Sequence, residues 1–92
     1  MIKTIDDFRH KLITKILFAT SQDEVGRYCI SSIRELETRQ VYHQFIVRFL
    51  EKTITELANF SPRDQNSQQW SNIINAKVFC KRLIDQYSFS HE

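Results

Sequence analysis

Apolar residues recur along this chain at steps of three and four, the spacing that stacks side chains on one face of an α-helix. The first stripe is Ile5, Phe8, Leu12, Ile16 and Ala19. Thr4 and Asp7 open it at the spacing of a capping box, in which a hydroxyl and a carboxylate each satisfy an orphan amide of the first turn, so a helix over 5–19 is expected. Ser21 followed by Glu24 repeats the signal. The next inward stripe, Val25, Cys29, Ser32, Ile33 and Leu36 with Tyr28 at its edge, predicts a second helix over 22–37. Gly26 costs it about 1 kcal/mol relative to alanine without ending it, and Ser32 leaves room for close approach of a neighbour.

The phase is lost around 37–40. A new stripe of Tyr42, Phe45, Ile46, Phe49, Thr53, Leu57 and Phe60 then predicts a third helix over 40–59. No breaker separates the second helix from the third, so a continuous rod and a kink near residue 38 both fit the pattern. The clearest punctuation follows, with Ser61 as cap, Pro62 at the first helical position and Asp64 in the first turn. It predicts a fourth helix over 62–87, weak in its polar first turns from Gln65 to Gln69, with 88–92 as a fraying tail.

These elements describe an all-α fold, a small four-helix bundle in a single domain over 1–92, its short connections favouring antiparallel neighbours. Composition agrees. The chain has 92 residues with one glycine and one proline, too few for the tight turns of an all-β fold or for a glycine-rich phosphate loop. At 41% hydrophobic and 26% charged it is too apolar for a disordered chain. Thirteen basic against eleven acidic residues leave +2, spread thinly, without the concentrated basic face that neutralises several phosphates at once. Cys29 and Cys80 lie far apart, inside helical stripes, and read as buried free thiols. The longest apolar run is Ile16-Leu17-Phe18-Ala19, and Met1-Ile2-Lys3-Thr4 does not open an apolar leader. No membrane contact is expected, and the cytoplasm is the expected setting.

Candidate chemistry is sparse. Asp6, Asp7 and His10 share one helical turn and would be the only metal-ligand set, but acidic residues there are explained by the helix dipole. His43 is flanked at helical spacing by Arg39, Gln40, Ile46 and Val47 and reads as a surface or boundary side chain. Glu35 beside Arg34 and Glu51 beside Lys52 read as solvation. The chain has no nucleophile-elbow or metalloprotease pattern. The reading is therefore no enzyme, no cofactor, no metal and no small-molecule substrate.

What exceeds structural need is apolar surface. In the first helix, Ile13, Leu17 and Phe18 lie off the main stripe. In the fourth, Ile73, Ala76, Cys80, Ile84 and Tyr87 form one stripe, Trp70, Ile74 and Val78 a second, and Phe79 and Leu83 lie beyond it. Two stripes imply two packing surfaces, either two neighbours within the chain or a contact with another protein. The candidate interface is Trp70, Ile74 and Val78, flanked by Lys77 and Lys81, together with Leu17, Phe18 and Arg9. Arg9, between Ile5 and Ile13, is expected to snorkel or to pair with an acidic residue of a partner. The segment Ser21-Gln22-Asp23-Glu24-Val25-Gly26-Arg27-Tyr28-Cys29-Ile30-Ser31 resembles the first helix and turn of bacterial helix-turn-helix repressors. The turn glycine of that motif falls on Ile30, and Glu35 and Glu37 stand where a recognition helix would approach phosphates. Two functions follow: a self-associating protein-interaction module, dimeric and of the adaptor, anti-regulator or immunity type, or a DNA-binding regulator with a degenerate helix-turn-helix over 21–37.

Overall fold

The computed structural model describes residues 4–90. Met1 to Lys3, and residues 91–92 of the expected tail, lie outside the described residues. The described chain forms α1 (Ile5–Leu17), α2 (Gln22–Thr38), α3 (His43–Ala58), a 3₁₀ turn (Pro62–Asp64) and α4 (Ser67–Ser90). These helices make a small all-α four-helix bundle around one core, with no strand among the described residues.

α1 starts as the pattern predicts. The Asp7 amide donates to Thr4 Oγ1 and the Thr4 amide to the Asp7 carboxylate, both at 3.1 Å. It ends at Leu17, two residues before the expected limit, because the chain turns at Phe18 and offers carbonyls to Asn72. Asn72 is fully buried. Its Nδ2 donates to Ala19 O at 2.8 Å and to Leu17 O at 3.5 Å, while its Oδ1 accepts from Gln68 at 3.0 Å. α2 is capped by Ser21, but Glu24 reaches the Thr20 amide rather than that of the cap itself.

α2 and α3 are separate helices. Gln40 takes a left-handed φ of 62°. Its amide donates to Glu37 O at 2.9 Å, and the Val41 amide donates to Leu36 O at 3.1 Å. This is the paired closure of a Schellman motif, completed by half-buried Val41 packing on the core. A stop that glycine normally marks is here carried by glutamine, so the sequence offered no breaker. α3 therefore starts at His43 rather than at 40, leaving Tyr42 exposed.

The expected start of the fourth helix at Pro62 also needs correction. Ser61 caps only the 3₁₀ turn, and α4 begins after Asn66. Asn66 Oδ1 accepts from the Gln69 amide at 2.8 Å, and Gln69 Oε1 accepts from the Asn66 amide at 3.2 Å. That reciprocal cap uses side chains that a search for serine, threonine and glutamate overlooks. At its far end α4 runs to Ser90, past the expected limit at Tyr87.

α4 is the central element and meets each of the other three helices. It runs parallel to α2: Asn72 sits at the α1–α2 turn just ahead of α2, the Phe79 ring lies against Gly26, and Tyr87 reaches Glu37 near the end. Burial and the Glu37 carboxylate push the Tyr87 phenol up to about 12, keeping it a neutral donor. The core collects Leu12, Ile16, Val25, Cys29, Leu36, Ile46, Phe49, Leu50, Leu57, Ile73, Ala76 and Cys80. Ile13, expected outside the first stripe, is buried in it, whereas Ile5 is partly exposed.

Two stability changes are expected. Gln40→Gly removes the cost of a side chain in the left-handed region and raises stability by about 1 kcal/mol, read from the midpoint of urea unfolding. Asn72→Ala leaves the Ala19 carbonyl buried without its donor and lowers stability by about 2 kcal/mol in the same assay.

Candidate interaction face

The second stripe of α4 divides. Trp70 is half-buried and packs on the core edge, so it belongs in large part to the fold. Ile74 and Val78, one and two turns on, remain 44% and 48% exposed. α4 does lie among neighbours of its own chain, but the bundle leaves these two side chains of the second stripe largely uncovered. Lys77 is half-buried and Lys81 exposed on the flanks.

The rest of the expected interface falls elsewhere. Arg9 is buried and turned inward. Its Nε donates to Glu56 of α3 and its Nη1 to Asp6 at 2.7 Å. Burial opposes the guanidinium charge, and the two carboxylates more than restore it. The same hydrogen bond and charge hold the Asp6 carboxyl below its ordinary value. The acidic partner expected from another protein is thus supplied by the chain itself. With Asp6 engaged by Arg9 and Asp7 by Thr4, that turn is occupied by structural pairs. Among the described residues no three His, Cys, Asp or Glu side chains converge to hold a metal. Leu17 is half-buried, and Phe18, 72% exposed, lines a hollow with Ala19, Thr20, Asn66 and Gln69 that does not include Ile74 or Val78.

Beside Val78 lies the more informative feature, a groove between α2 and α4. Its two adjoining parts share Gln22, Gly26, Phe79 and Arg82, and the larger encloses about 450 Å³. Gly26 and Phe79 form the floor. A methyl group on Gly26 would stand 3.3 Å from Phe79 Cε2, so the glycine lets the ring settle against α2. Ile30 continues the apolar wall on α2, and Val78 with Asn75 continues it on α4. Asp23, Arg27 and Arg82 stand round the rim. The sequence pattern presents Gly26 as a helix penalty and, within the helix-turn-helix resemblance, as a point of close crossing for the next helix. The close approach is made instead by Phe79 of α4, which the pattern places on the far side of the second stripe. An isolated glycine inside a strong helical pattern was the available signal.

Deeper, Cys29 and Cys80 are both fully buried and free, and their thiols face each other across α2 and α4. The hydrogen bond with Cys29 and burial push the Cys80 thiol up, so it stays protonated. α2 is one uninterrupted helix through Ile30, so the turn that a helix-turn-helix over 21–37 requires is not formed. No described helix is long and apolar enough to cross a membrane. Comparison with protein-family models, curated proteins and solved structures finds no match to this chain.

The contrast between the two faces of α4 is measurable. Val78→Ser is expected to change unfolding stability by no more than about 0.5 kcal/mol, as at other surface sites. Ile73→Ala, in the core, is expected to cost about 3 kcal/mol. Parallel denaturant curves give both values, and a large loss at Val78 would place it in the core.

Proposed function

We propose that this chain is a protein-interaction module that works through the α2–α4 face. The observation that carries this reading is the pair of aliphatic side chains, Ile74 and Val78, left 44% and 48% exposed beside a groove of mixed apolar and polar lining. Burying such surface is favourable by about 25 cal/mol per Å², and a thin 92-residue domain gains more from it than a large one. The groove's polar lining consists of Gln22, Asp23, Arg27, Asn75 and Arg82, which suits recognition by hydrogen bonds and charge. A second copy of the chain, forming the homodimer expected from the sequence, and an unrelated protein both satisfy this reading. A cytoplasmic setting, where the buried thiols stay reduced, is part of the proposal. The DNA-binding alternative loses its main support with the missing turn in α2.

Site-specific photocross-linking tests it. With a benzophenone side chain at position 78, cells producing the protein are expected to yield a discrete adduct whose mass reveals the partner, twice the chain mass marking a second copy. The same probe at Glu51, on the exposed side of α3, is expected to yield none, and Ile74→Ser to weaken the Val78 adduct. No adduct at 78, together with a monomer by light scattering, would refute the reading.

A further inference from the structure

The charge around the groove bears on what occupies it. On α2, Arg27, Ile30 and Arg34 follow one another at steps of three and four and are all exposed, so the two guanidinium groups flank the isoleucine on one helix face. Arg82 of α4 lines the same groove beside Phe79. None of these three arginines forms an ion pair among the described residues, although Arg9 and Arg39 do. Arg27 and Arg82 lie in the groove lining with one carboxylate, Asp23, and Arg34 stands one helical turn beyond it. The lining is thus net positive around an apolar floor of Gly26 and Phe79 with Ile30 as its α2 wall.

Three occupants can be weighed against this pattern. A second copy docked by a two-fold axis would bring the same patch against itself, setting Arg27 and Arg82 against their own kind, with Arg34 near by and only Asp23 of each lining to offset them. A nucleic acid would meet the arginines but would leave Ile30, Ile74 and Val78 without apolar contact, because phosphate binding draws on charge rather than on aliphatic surface. A protein segment with a bulky apolar stripe bordered by carboxylates satisfies both halves. Arginine holds carboxylates through two parallel hydrogen bonds, and a helix laid in a groove presents its anchors at the spacing that the floor offers.

We infer that the α2–α4 groove receives an acidic amphipathic helix of another protein. An apolar anchor of that helix seats over Phe79 and Gly26, and its glutamates or aspartates engage Arg27, Arg34 and Arg82. This inference rests on the interaction reading above and specifies the chemistry of the partner.

The test uses the full chain and two designed helical peptides of about 18 residues, identical in their leucine and phenylalanine stripe, one bordered by glutamate and the other by lysine. Fluorescence anisotropy at low salt is expected to show the glutamate peptide binding at least about tenfold tighter than the lysine peptide, and weakening as salt rises. Amide shifts on binding are expected to centre on Gly26, Ile30, Val78 and Phe79. Combined Arg27→Glu, Arg34→Glu and Arg82→Glu is expected to reverse the preference. The triple glutamine variant is expected to abolish it, and circular dichroism checks that each variant stays folded. Equal binding of the two peptides, no binding of the glutamate peptide, or tighter binding of a DNA duplex at the same salt overturns the inference. If the Val78 adduct forms while the glutamate peptide fails, the inference falls and the interaction reading stands. An adduct of twice the chain mass likewise assigns the groove to a second copy.

Discussion

Along the contact between α2 and α4, small or soft residues stand where two helices come close. Gly26 supplies no side chain, so the Phe79 ring lies against the helix itself. Close by, Cys29 and Cys80 meet, both fully buried. Cysteine behaves there as a small hydrophobe whose weak polar group is satisfied by its twin. In an up-and-down four-helix bundle the second and fourth helices run parallel and lie on a diagonal. Here that diagonal is closed, and α4 becomes the element on which α1, α2 and α3 all rest.

Two polar anchors hold this arrangement in register. Asn72 ties the start of α4 to the carbonyls that α1 releases where it ends, and Tyr87 ties its far end to Glu37 of α2. Buried polar groups are costly unless satisfied, and every hydrogen bond that Asn72 makes to the α1–α2 turn is lost if α4 slides by a turn. Arg9 does the same between α1 and α3 through Glu56. Apolar packing supplies the bulk of the driving force, and these few directional contacts choose one packing among many of similar area.

The same closeness creates the groove. Bringing α2 against α4 at Gly26 leaves their outer edges, Ile30 on one side and Val78 on the other, as the walls of a trough rather than a flat surface. The α2 arginines at and beyond its edge follow from that helix's own periodicity, since Arg27, which lines the groove, and Arg34, one turn past it, bracket Ile30 on the face turned away from the core stripe. Fold and candidate function thus share one cause, because the contact that organises the core also shapes the surface beside it.

Local chemistry written in the sequence was enough for the all-α class, the number of helices, the caps at Thr4 and Ser21, and most of the buried stripe, since each depends on residues within a turn or two of one another. It missed the stop at Gln40 because a left-handed residue there is imposed by the closing bonds to Leu36 and Glu37 and not by glycine. The role of Arg9 was also out of reach, because Glu56 is 47 positions away and no helical spacing joins them. Trp70, Ile74 and Val78 look equivalent along the chain. Only the packing of α4 in the bundle turns the first toward the core and leaves the other two facing solvent. Periodicity says which residues share a face. What that face meets is decided by tertiary packing, in which distant segments compete for the same surface.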